Sequence, residues 1–186
     1  MQFSDFFEDV PIVAAVKSED ELHESLMCDS NMIFLLCGDI CSIDSLVSTV
    51  KAAGKLAIVH IDLIEGLAPR EIGIDYIKEH TRADGIISTK AALVKYAKAQ
   101  GLIAIRRFFL LDSMALETIA RASTSNDADA YEVLPGVMPK IISHIVSQCD
   151  KPIIAGGLIR DKDDVVNALS AGAIAVSSTN SKVWFL

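Results

Sequence analysis

Two short motifs near the C-terminal end carry residue types suited to holding an anion: Gly156-Gly157, and further on Ser177-Ser178-Thr179. Adjacent glycines remove the Cβ atoms that keep backbone N–H groups away from an anion, and a hydroxyl-rich turn adds donors of its own. The chemistry suggested is phosphate binding on main-chain amides. The same residues are also ordinary turn formers, so their meaning depends on whether the two turns lie side by side. Lys17, Asp39, His60, Asp62, Lys90, Arg107 and Glu132 stand at or just beyond the ends of apolar runs. Lys17, Lys90 and Arg107 would offset the charge of a phosphate. Asp39, Asp62 and Glu132 would accept from the hydroxyls of a polyol. Alternation puts His60 and Asp62 on one strand face, which suits a polyol or a metal, but no further ligand completes a metal site. Thr89 and Asp112 read more simply as helix caps. No nucleophile with a base and an orienting partner can be specified. Neither a metal nor a cofactor is expected.

The elements that must position these groups form a unit repeated about eight times. Apolar runs at 12–16, 32–37, 56–60, 85–87, 103–110, 130–134, 153–155 and 173–176 read as strands. Helical patterns follow them: Ser18 and Glu21 make a capping box for a helix to about residue 27, and others are expected at 42–53, 70–80, 90–100, to about 122 after Asp112 or Ser113, and at 138–149. Asp161 caps the next helix and Gly172 ends it. Strict alternation implies a parallel sheet, and eight strands imply a compact closed (β/α)8 barrel of TIM type with trimmed loops, residues 1–186 making one domain. An open flavodoxin-like sheet is the alternative. In barrels of this type the loops after strands 7 and 8, with the start of a short extra helix, commonly cradle phosphate. Here those loops hold the glycines and the serines, and residues 180–186 supply the extra segment.

Composition narrows the partners. With 25 acidic against 17 basic residues the formal charge is −8, which argues against nonspecific attraction to nucleic acid or anionic membrane. A polyanion would need a local basic surface, for which Arg106, Lys140, Arg160 and Lys162 are the candidates. The chain is 51% hydrophobic, as parallel strands covered on both faces require. No apolar run approaches the ~20 residues of a membrane helix, and the acidic MQFSDFFEDV start does not resemble a signal peptide. Cys28, Cys37, Cys41 and Cys149 have no metal-type spacing and read as reduced thiols of a cytoplasmic protein. Phe108, Trp184 and Phe185 either pack internally or line a contact in a homo-oligomer.

Seven ordered segments resemble the glycerol uptake operon antiterminator regulatory proteins: PIVAAVK at 11–17, IFLLCGDI at 33–40, VHIDLIEGL at 59–67, DGIISTK at 84–90, RFFLLDSMAL at 107–116, EVLPGVMPKII at 132–142, and PIIAGGLI with AIAVSST near the end. The resemblance implies a (β/α)8 barrel without known catalysis that senses glycerol 3-phosphate and acts on a leader mRNA to permit read-through of glycerol-utilisation genes. The site expected from these motifs and the barrel geometry together comprises Lys17, Asp39, His60, Asp62, Lys90, Arg107, Glu132, Gly156, Gly157, Ser177 and Ser178. Two alternatives stand beside it: a phosphosugar or prenyl-transfer enzyme built on the same cradle, and a scaffold that binds only a partner protein.

Overall fold

The computed structural model describes residues 3–186. Eight parallel strands run in sequence order around a closed barrel: β1 Ile12–Val16, β2 Met32–Leu35, β3 Leu56–His60, β4 Gly85–Ser88, β5 Ile103–Phe109, β6 Ala130–Leu134, β7 Ile153–Gly156 and β8 Ala175–Ser178. Pairing of Ile12 with Val176, Val13 with Ser177 and Ala14 with Ser178 closes the ring between β1 and β8. The helices that cover it are α1 Glu19–Ser25, α2 Ile43–Ala52, α3 Glu71–His80, α4 Ala91–Ala99, α5 Ser113–Ser123, α6 Pro139–Gln148, α7 Lys162–Ser170 and the one-turn α8 Ser181–Trp184. The open flavodoxin-like sheet is therefore ruled out. Among the described residues no helix is long and apolar enough to cross a membrane.

Strand alternation divides the apolar residues between two cores. Val13, Ala15, Met32, Phe34, Ile58, Ile87, Ile105, Ala130, Ile154 and Ala175 fill the barrel interior. Their neighbours, such as Val16, Ile33, Leu35, Val59 and Val133, pack outward beneath the helices. Continuing the inward parity by one step reaches His60, Arg107, Glu132, Gly156 and Ser177, so a polar layer sits directly on the apolar interior at the carboxyl ends of the strands. The opposite end is plugged by a 3-10 turn, Phe3–Phe7, whose Phe7 joins the interior cluster.

Local signals set most boundaries. Ser18, Asp112, Asp161 and Asn180 cap α1, α5, α7 and α8 by accepting from Glu21, Ala115, Asp164 and Lys182 N–H groups. Glu21 reaches the N–H of Lys17 at 2.7 Å rather than that of the cap residue, a shifted version of the expected box. The last strand begins two residues later than its apolar run suggests. Ser177 and Ser178 are therefore ladder residues rather than turn residues.

Candidate functional site

A cavity of about 380 Å³ opens at the carboxyl end of the barrel, lined by Ala15, Leu36, Arg107, Glu132, Leu134, residues 157–160 and residues 177–180. Its rim is made by the two turns after β7 and β8, which are tied directly to each other. The Ser178 hydroxyl donates to the Ile159 carbonyl at 2.9 Å, and the Asn180 amide donates to the Arg160 carbonyl at 2.9 Å. The turn after β6 braces the same wall, since the Gly136 N–H donates to the carbonyls of Gly156 at 2.6 Å and Gly157 at 3.1 Å. Gly157 and Leu158 take φ of 74° and 63°, so the turn after β7 passes through the left-handed region at two consecutive residues. The N–H groups of Gly157, Leu158, Ile159 and Thr179 donate to no acceptor among the described residues. Those of Arg160 and Asn180 are committed, to the Asp164 carboxylate and the Ser178 hydroxyl.

The cavity floor is a hydrogen-bonded chain. Arg107 Nε donates to Glu132 Oε2, and the Ser177 hydroxyl donates to Glu132 Oε1 at 2.5 Å. Arg107 is 9% exposed and Glu132 1%, so the charges neutralise each other in a nearly dry place. Gly156 makes that contact fit: a Cβ there would lie 2.5 Å from Ser177 Oγ and 2.6 Å from Glu132 Oε1. Arg107 uses one guanidinium donor on Glu132 and lines the cavity with the rest. His60, in the same layer, is buried with Nδ1 unpartnered. Burial, and secondarily the Arg107 charge, depress its pKa to about 4, so the imidazole is neutral at physiological pH.

Of the residues expected from sequence, Arg107, Glu132, Gly157, Ser177 and Ser178 meet at this cavity; Gly156 supports its floor, and His60 lies within the layer without reaching the wall. Four are placed elsewhere. Asp39 accepts from the N–H groups of Cys41 and Ser42, at 2.7 and 2.9 Å, which hold its carboxyl below the usual range while it organises the entry to α2. Asp62 accepts from Ser88 Oγ, Thr89 N–H and Thr89 Oγ1 and so fastens the turn after β3 to the turn after β4. Both carboxylates serve backbone turns. Lys17 is half-exposed beside Glu21 at 3.7 Å, and Lys90 stands exposed before α4; neither lines the cavity. The cation at the lip is instead Arg160, first noted as a surface candidate. Arg106 is half-buried: its guanidinium carbon lies 4.4 Å from the Phe108 ring centroid with Nε buried, and burial lowers its pKa. Phe108 and Trp184 are buried, and Phe185 is exposed. Asn180 escaped the sequence reading as a site residue, although an Asn directly before a terminal helical turn is itself a cap signal. Among the described residues no group of three His, Cys, Asp or Glu side chains is arranged to hold a metal.

Residues 12–184 match the glycerol-3-phosphate responsive antiterminator family. The chain belongs to that family. Within reach of the antiterminator family's sequences, the Escherichia coli (strain K12) protein YgcP is 42% identical over 176 residues, covering 95% of this chain and 92% of its own. The glycerol uptake operon antiterminator regulatory protein of Listeria monocytogenes has a similar crystal structure, with a TM-score of 0.87 and 29% identity over 96% of each chain. The glycerol uptake operon antiterminator-related protein of Thermotoga maritima superposes with a TM-score of 0.80 and 31% identity, over 93% of this chain and 96% of that one. Deoxyribose phosphate aldolase from Aeropyrum pernix, at 17% identity and a TM-score of 0.70 over 97% and 89% of the two chains, shares the fold alone.

Proposed function

We propose that this antiterminator-family protein binds glycerol 3-phosphate in the barrel mouth without turning it over, and that the bound form acts on leader mRNA to let transcription continue into glycerol-utilisation genes. The observation that carries the reading is the pair of mutually fastened turns, residues 157–160 and 178–180, with main-chain N–H groups left over beside two arginines. A phosphate placed there is held by the N–H groups of Gly157, Leu158, Ile159 and Thr179, with Arg160 at the lip and Arg107 below. Its glycerol hydroxyls then face the floor, where Glu132 accepts. The family's name and those of the Listeria and Thermotoga proteins supply the regulatory half of the proposal. Coupling requires that the ligand favour one arrangement of the mouth turns over another, since equal affinity for both shifts nothing.

Isothermal titration with glycerol 3-phosphate, followed by recovery of the ligand, tests this. Saturable binding with the ligand recovered unchanged is expected. Gly157→Asp should abolish it while the far-UV circular dichroism stays native, because the new side chain brings a negative charge to the cradle and its Cβ meets Leu134 Cδ2 at 3.1 Å. Turnover of the ligand, or undiminished binding by the variant, would contradict the proposal.

A further inference from the structure

We infer that the mouth is selective for phosphate esters of alcohols and rejects the corresponding ketones, with Glu132 as the residue that discriminates; this rests on the ligand reading above. Both Glu132 oxygens already accept one hydrogen bond, from Ser177 Oγ at 2.5 Å and from Arg107 Nε. Each retains a lone pair, and the side chain lines the cavity while only 1% exposed. A carboxylate paired with a guanidinium can only accept. The Ser177 proton is directed at Glu132, so it is not offered to the ligand.

A ligand hydroxyl on the carbon next to the phosphate-bearing carbon therefore donates to Glu132 and completes the layer. A carbonyl at that carbon sets acceptor against acceptor. Turning the carbonyl instead toward the remaining Arg107 donors leaves the lone pairs of a buried carboxylate unmatched beneath the ligand, and such a site discriminates strongly against the analogue that lacks the donor. Gly156 belongs to the same device, because any side chain there would part Glu132 from Ser177. Selection of this kind makes the protein respond to the reduced triose phosphate and not to its oxidation product.

Titration calorimetry on the full chain with glycerol 3-phosphate, dihydroxyacetone phosphate, 3-hydroxypropyl phosphate and inorganic phosphate decides the matter. The ketone and the ester lacking the middle hydroxyl should each bind at least about tenfold more weakly than glycerol 3-phosphate. Glu132→Gln keeps an acceptor for Arg107 and adds an N–H donor, so the ratio between alcohol and ketone should fall toward one. If that variant does not fold, the wild-type ratio still decides. Equal wild-type affinity for alcohol and ketone overturns the inference and leaves the phosphate cradle intact. Failure of all four compounds to bind overturns both.

Discussion

His60 and Glu132 both lie in the inward polar layer, and both are nearly inaccessible to solvent. Each Glu132 oxygen has one partner within the layer, whereas His60 leaves Nδ1 without a partner and stays neutral, its pKa about 4 against 6.5 for the free side chain. Because the folded pKa is the lower one, the unfolded chain binds more protons between pH 6.5 and about 4. His60 therefore contributes its full share of stability above pH 6.5, and that share is lost as the pH falls toward 4, amounting to about 3 kcal/mol at most. Urea unfolding across this range should show a stability slope for the wild type that His60→Gln flattens. An identical slope in the variant would assign the acid sensitivity to other groups. Arg107 contributes to the low pKa, so an anion bound beside the guanidinium should raise it again.

At the scale of elements, the turns before α1, α2, α4 and α5 are held by side chains acting on backbone, and the turns after β7 and β8 are also held by each other. Asn180 sits at that joint: its Nδ2 donates to the Arg160 carbonyl and its Oδ1 caps α8. Asn180→Asp keeps the cap, removes the donor and adds a negative charge. The variant should unfold within about 1 kcal/mol of the wild type and yet bind glycerol 3-phosphate more than about tenfold more weakly. Unchanged affinity, measured by the same titration, would separate the joint from the ligand. The same scale explains what was legible in the sequence. Strands β1, β3 and β6 coincide with their apolar runs: Pro11 and Ser18 flank β1, Asp129 and Pro135 flank β6, and the polar His60 ends the run of β3. β8 starts later than its apolar run because Ala173 and Ile174 extend that run without joining the strand, and hydroxyl residues are acceptable in a ladder whose top faces a polar cavity. Asp39 and Thr89 show the harder limit. A carboxylate that organises its own turn looks the same in sequence as one awaiting a ligand, and the partner of Thr89, Asp62, lies in another βα unit. Glu132 and Arg107 were recognisable by their position at strand ends, but their mutual pairing across adjacent strands is a matter of register.

For the whole molecule, a formal charge of −8 means that an anionic ligand gains nothing from long-range attraction. Capture depends on short-range donors at one end of the barrel, while the other end is closed by Phe7 and its neighbours. The interior is apolar up to the layer of His60, Arg107 and Glu132, so the ligand cannot pass deeper than that floor. A backbone-amide NMR titration of the intact protein with glycerol 3-phosphate locates the anion most directly. Gly157, Leu158, Ile159 and Thr179 should show the largest saturable shifts, with smaller ones spreading through Gly136. Shifts centred on Lys17 or Lys90 with these four amides unmoved, or no saturable shifts at all, would contradict a phosphate seated between the last two turns.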